Sequence, residues 1–356
     1  MLCPFDIAVD TIDCMLNFEI VGDAIYTGLE MQAFDQDPEY GQGVLAFLTR
    51  RDDDRAYVYR QPGLRLDPRE FQVGHGVGGW TEAMLDPAQL DITDHGVVAA
   101  LGFRDDAGRH IEVSIDDRSH RRRRPGRLLA PFGVAVENPT SLMLAYMRRF
   151  DLLRRDGREF RVLLDGHPVR TGSLPGGWLH RRRLVKYAAD IVVVRLNQAQ
   201  DAPIRVPDSD HPGNVELGPD SSIAGLSVKR GGHDVRLTLH PPLPDLLRLE
   251  VGAAADGAWD LDIDDLTISG RWWARRRDRQ VDLVMHVTRG WKPTGLPPLM
   301  RIMTSVVRIF RTWPTSYRWV AAITLDPQPW MSSRWERTDN QRGSSYRRLT
   351  QSGVSR

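Results

Sequence analysis

Period-two alternation of apolar and polar residues runs through most of this chain, and a backbone whose side chains change sides at every residue is a strand. In RHIEVSIDD (109–117), Ile111, Val113 and Ile115 take one face and His110, Glu112 and Ser114 the other. HDVRLTLHP (233–241), AWDLDID (258–264) and QVDLVMHVT (280–288) repeat the pattern. Further runs at 16–22, 24–34, 43–49, 55–61, 96–103, 160–164, 187–196, 224–230 and 320–325 read as strands. Asp106-Ala107-Gly108, Asp165-Gly166, Gly231-Gly232 and Asp256-Gly257 sit between candidate strands and tolerate the positive φ of tight hairpin turns. Strands that are dry on one side and wet on the other form antiparallel sheets. The expected fold class is mainly β: two antiparallel barrel- or sandwich-like modules with one or two amphipathic helices.

Two segments break the alternation. In 139–157, Met143, Tyr146, Met147, Phe150 and Leu153 recur at helical spacing, with Thr140 or Ser141 to cap the start and Gly157 to end it. In 296–313, Leu299, Ile302, Met303, Val306, Val307 and Phe310 form a stripe opposite Arg301, Thr304, Ser305, Arg308 and Arg311. Helices are therefore expected near 141–155 and 297–312. The second stripe either covers a sheet or rests on a membrane interface, where Arg-bearing amphipathic helices also lie. A first β-rich module is expected at 1–120, a polar, Pro- and Gly-bearing linker at 121–141, a second module at 142–330 and a flexible tail at 331–356.

Charge is segregated although the net formal charge is only +1. Residues 1–49 hold nine acids and no base, whereas 118–186 hold seventeen bases and five acids. Residues 187–270 are net acidic and 271–318 carry eleven bases against two acids. Such segments can dock on one another, or offer a basic face to an acidic partner or a membrane surface. The two cysteines, Cys3 and Cys14, form no C-x-x-C pair, which argues against a disulfide scaffold or zinc ribbon. The first basic residue is Arg50, so no secretory n-region is visible. A cytoplasmic protein is the expectation.

FQVGHGVGGW (71–80) carries Gly74, Gly76 and Gly79 at the G-x-G-x-x-G spacing. The dinucleotide fingerprint needs a helix after the glycines to aim amides at the pyrophosphate. Here Pro87 interrupts the chain before a crossover helix fits, so the stretch reads as a Gly-rich turn or bulge. At a barrel mouth its His75 and Trp80 would meet a ligand. G-x-x-x-x-G-K-[ST], G-x-S-x-G and H-E-x-x-H are absent, and no two of the ten histidines stand at i, i+2 or i, i+4. No metal site and no bound cofactor are expected. Tyr57 and Tyr59 share a strand face, as do His110 and Glu112, which could move protons if that face lines a cavity. His286 lies on the polar side of its own strand. In SGRWWARRRDRQ (269–280), Trp272 and Trp273 point to opposite faces among five arginines. Such a surface could hold single-stranded nucleic acid, but no RNA-binding signature accompanies it.

The strand texture over about 16–325, with FRVLLDGHPVR (160–170) and SGRWWARRRDRQVDLVMHVTRGW (269–291), resembles two-domain lipocalin-like proteins of the carotenoid hydratase-like and AttH-like kind. No active-site motif of those proteins maps onto a residue here. The resemblance implies a pocket for an apolar small molecule such as a lipid, isoprenoid or polyketide. The expected proton carriers are His110, Glu112 and His286. The expected ligand contacts are Tyr57, Tyr59, His75, Trp80, Trp272 and Trp273. Any chemistry would be cofactor-free acid–base addition, cyclisation or isomerisation.

Overall fold

A computed structural model describes residues 2–67, 76–131, 139–154, 159–204, 213–292, 296, 298–306 and 308–338. The chain first forms β1 (Ile7–Val21), β2 (Tyr26–Asp37), β3 (Gly41–Arg50), β4 (Ala56–Arg60), β5 (Val77–Glu82), β6 (Ala88–Thr93), β7 (Gly96–Arg104), β8 (His110–Asp116) and β9 (Gly126–Pro131). It continues with β10 (Leu142–Arg154), β11 (Glu159–Leu164), β12 (His167–Pro168), β13 (Arg170–Thr171), α1 (Gly177–His180) and β14 (Arg182–Leu196). Next come β15 (Asp201–Pro203), β16 (Asn214–Leu217), β17 (Ile223–Arg230), β18 (His233–Leu243), β19 (Ala254–Ile263), β20 (Leu266–Arg277) and β21 (Gln280–Arg289). After these, α2 (Pro298–Val306) and α3 (Arg308–Thr312) precede β22 (Tyr317–Thr324) and β23 (Trp330–Arg337).

These strands make three sheets. The central one runs β5-β4-β3-β2-β1-β14-β10-β9, with β13 added at the end of β1. A small sheet runs β12-β11-β8-β7-β6, and an outer sheet runs β15-β23-β22-β21-β20-β19-β18-β17-β16. The chain is mainly β, as the alternation requires, and neighbouring strands pair antiparallel except β4 with β5. Asp165-Gly166 and Gly231-Gly232 turn hairpins with all four residues at positive φ. Asp256-Gly257 does not turn: both residues lie inside β19, where a Cβ on Gly257 would come within 2.7 Å of the Trp272 Nε1.

The helix expected near 141–155 is instead strand β10. Leu142, Leu144 and Tyr146 pack into one core cluster, and Met143, Ala145 and Met147 pack into another on the opposite face. A strand buried on both sides loses its alternation, and its apolar run then imitates a helical stripe. The helices α2 and α3 stand where the second stripe placed one. Met300 is buried and Leu299, Met303 and Phe310 pack against the same cluster, while Ile302 and Val306 are 61% and 72% exposed.

The expected linker at 121–141 does not separate two modules. β9 lies within it, and β9, β10 and β14 join β1 in the central sheet. Arg123, inside that basic run, is buried against Asp117 at 2.9 Å and donates to the Tyr187 hydroxyl at 2.7 Å. It thus ties the end of β8 in the small sheet to β14 in the central one. The expected tail also begins too early, since β23 pairs with β22 over its full length. Residues 339–356 lie outside the described residues.

Three long strands organise the core. In β1, Ile7 and Val9 pack toward the outer sheet, while Leu16, Phe18 and Ile20 pack toward the small sheet. Ile12 and Met15 share the remaining face, three residues apart, which a regular strand forbids. Ala188 and Ile191 in β14, and Met147 and Phe150 in β10, do the same. The irregularity falls on one row, Asp13, Asp190 and Arg148. Here Asp190 has φ 59° and the flanking pairs Ile12 with Ile191 and Cys14 with Ala189 keep their register. His233, at the start of β18, joins this row from the outer sheet: its Nε2 is 3.3 Å from Asp190 and its Nδ1 is 2.8 Å from Asp264.

Arg123→Ala leaves the Asp117 carboxylate buried beside no cation, and urea unfolding should show a loss of about 3–5 kcal/mol. Arg122→Ala, which removes an exposed arginine paired with Asp94, should leave the midpoint close to that of the unaltered chain. Equal midpoints for the two variants would contradict the role given to Arg123.

Candidate functional site

The structure scatters most of the expected site residues. His110 and Glu112 do meet, with Nδ1 and Oε1 3.0 Å apart, but their side chains are 40% and 39% exposed. They lie on the outward side of the small sheet, since Ile111, Val113 and Ile115 take the inward side. His286 belongs to the outer sheet, on its exposed side, between Arg271 and Arg318 on the neighbouring strands. Partial burial and these two cations lower its proton affinity. The three expected proton carriers therefore occupy two sheets and form no common centre.

The aromatic candidates also divide. Trp272 is 1% exposed and belongs to the core between the central and outer sheets, while Trp273 points outward. Tyr59 is buried, its hydroxyl accepting from the Asp106 amide at 3.3 Å. Tyr57 bonds Asp53 at 3.1 Å and lies over Gly78 and Gly79, where a Cβ would come within 2.7 and 2.9 Å of its ring. That contact explains two of the glycines of GHGVGG, and the chain after them forms β5 and β6 rather than a helix. His75 lies outside the described residues. Trp80 packs on the central sheet, against the apolar cluster that α2 covers.

On that helix-side face, one row of paired residues crosses seven strands: Leu152, Lys186, Asn17, Glu30, Phe47, Val58 and Trp80, with β14, β1 and β2 supplying its polar middle. Asn17 Nδ2 donates to Glu30 Oε2 at 2.7 Å, and Gln32 Nε2 donates to Glu30 Oε1 at 2.6 Å. Gln32 is fully buried, and its Oε1 has no hydrogen-bond partner among the described residues. An unsatisfied buried acceptor is costly in a native protein and marks a place for a donor. Burial raises the Glu30 carboxyl above its ordinary range, while the Gln32 and Asn17 bonds and the Lys186 charge pull it back. Glu19, one step along β1, is raised the same way by burial, again opposed by Lys186.

The surroundings grade from buried to partly accessible. Met15, Phe47, Val58, Phe150, Leu152 and Ala188 are buried in the same cluster. Asn17, Glu19, Gly28, Glu30, Leu184 and Lys186 remain partly accessible. The arrangement thus sets one polar cluster, Asn17, Glu30 and Gln32, in apolar surroundings. It can pass a proton, because a carboxyl with raised proton affinity works nearer neutral pH. The cysteines add no nucleophile: burial pushes Cys3 up to about 12 and Cys14 up to about 11. Among the described residues, no group of three or more His, Cys, Asp or Glu is placed to hold a metal ion.

Sequence reasoning missed Asn17, Glu30, Gln32 and Lys186. LNFEIVG and AIYTGLEMQAF were legible as strands, but alternating polar residues read as a solvent face. Comparison with protein-family models, curated proteins and solved structures finds no match to the chain.

Glu30 sets a pH dependence of known sign. Its folded-state proton affinity exceeds the unfolded one, so the folded chain holds more protons across the window above the ordinary carboxyl range, and stability falls as pH rises through it. Glu30→Gln removes that penalty, and Gln32 can turn its amide to accept from the new one. The melting temperature of the variant, relative to the unaltered protein, should gain more at about pH 8 than at about pH 4. An equal difference at both would show that Glu30 is not held against its charge.

Proposed function

We propose that the helix-side face of the central sheet binds an apolar small molecule of the lipid, isoprenoid or polyketide class that carries one hydrogen-bond donor, such as a hydroxyl. The observation that carries this reading is the fully buried Gln32, whose Oε1 has no partner among the described residues, beside a half-buried Glu30 in otherwise apolar surroundings. A hydroxyl would donate to Gln32 and accept from or donate to Glu30 according to its protonation, while the hydrocarbon packs among the apolar side chains of the same cluster. Acid–base chemistry on the bound molecule, expected from His110, Glu112 and His286, falls in this reading to Glu30, with Lys186 and Asn17 as its positioning residues. The outline resemblance to two-domain lipocalin-like proteins points to the same ligand class.

Retinol, an isoprenoid alcohol that absorbs where Trp emits, is a suitable probe because Trp80 shares the row. Titration should quench Trp emission saturably. Gln32→Leu should weaken binding about tenfold for retinol and little for a hydrocarbon analogue without the hydroxyl, since a site built to pair a polar group discriminates by that group. His110→Ala should change neither. Absence of saturable quenching, or equal effects of Gln32→Leu on both probes, would remove the proposal.

A further inference from the structure

We infer that the α1 turn is a membrane-docking tip which delivers the ligand from an anionic bilayer surface to the site above, so the inference rests on that reading for its second half. Trp178 and Leu179 in α1 are 77% and 73% exposed, side by side at the end of a turn. Large apolar side chains held outward cost solvation unless something covers them. The turn is built, not slack. Gly176 and Arg181 bracket it at φ 70° and 54°, and the His180 ring closes it. Arg182 N–H donates to His180 Nδ1 at 3.1 Å, so the opposite nitrogen, 2.9 Å from the Pro175 carbonyl, carries the proton and donates.

Charge selects the occupant. Between Asp165 and Asp190 the chain has no acid, but it has Arg170, Arg181, Arg182, Arg183 and Lys186. Arg182 is paired with Asp151 at 2.7 Å, and Arg183 lies over the Phe160 ring at 4.8 Å. A Trp–Leu tip flanked along the chain by the exposed Arg170 and Arg181 fits the interface of an anionic membrane, where indole sits at headgroup level and basic side chains meet lipid phosphates. A protein partner would need a shaped counter-surface, whereas two side chains on a four-residue helix suit a fluid one.

Position links the tip to the site. β13 pairs with the end of β1 at Ile20 and Val21, and β14 leaves the tip at Arg182. Gly172, between them, is so close that a Cβ would come within 3.1 Å of both Glu19 Oε2 and Leu184 Cδ2, in the partly accessible surroundings of the site. Lys186 of the polar row follows four residues after Arg182.

Co-sedimentation tests this with the full chain and two vesicle types: phosphatidylcholine alone, and phosphatidylcholine with about one quarter phosphatidylserine. The protein should sediment with the anionic vesicles, less so as salt is raised. Trp178→Ala/Leu179→Ser should lose about tenfold in vesicle affinity while keeping its melting temperature and its retinol titration in solution. Ile302→Ser/Val306→Ser, on another exposed apolar pair, should sediment like the unaltered protein. The inference is overturned if the protein ignores anionic vesicles, if the tip variant sediments unchanged, or if only the α2 variant is lost. Retinol titration without vesicles reports on the binding site separately, so failure there and failure of docking are told apart.

Discussion

The burial of β1, β10 and β14 on both faces is the constraint on which the rest of the molecule depends. One face of these strands meets the outer sheet along one half and the small sheet along the other. The other face holds the third core cluster, partly covered by α2. Changing the covering sheet midway requires the strands to change phase, and they do so together at Asp13, Asp190 and Arg148. Charged residues at that row are tolerable because they pair: Arg148 lies 3.2 Å from Asp190, and His233 reaches in from the outer sheet. The Asp13–Asp190–Arg148 row is therefore a seam at which two sheet packings meet, and His233 bridges it without belonging to either core.

Downstream of the seam, the helix-side face acquires its chemistry. Phase fixes which residues arrive there: Asn17 and Glu19 from β1, Glu30 and Gln32 from β2, Lys186 from β14. None would be unusual on an open sheet. Here Phe47, Val58 and Leu152 close the same rows with apolar surface, so Asn17 and Gln32 turn their amides to Glu30, and the Gln32 oxygen has no partner among the described residues. His110 and Glu112 show the contrast. They too lie within hydrogen-bonding distance of each other, but water reaches both, and an exposed pair of this kind changes little.

Much of the architecture was legible in the residues. Alternation located most of the long strands, and Asp165-Gly166 and Gly231-Gly232 located two hairpin turns, because positive φ is nearly a property of residue type. Where a strand is buried on both faces the signal failed. β10 has no wet side, and its Met, Leu and Tyr residues fit helical spacing as well as strand spacing. The basic run at 118–127 failed for a related reason. Four consecutive arginines read as solvated linker, yet Arg123 is buried because Asp117 and Tyr187 wait for it.

By itself the sequence determined the class of structure, the positions of most strands and the absence of the common catalytic motifs, since each follows from local period or local spacing. Only the tertiary structure decided which polar face is wet and which is enclosed. His110-x-Glu112 and Glu30-x-Gln32 are the same pattern in the chain. What separates them is the distant segment that packs over each, and a period-two repeat carries no information about what will lie above it.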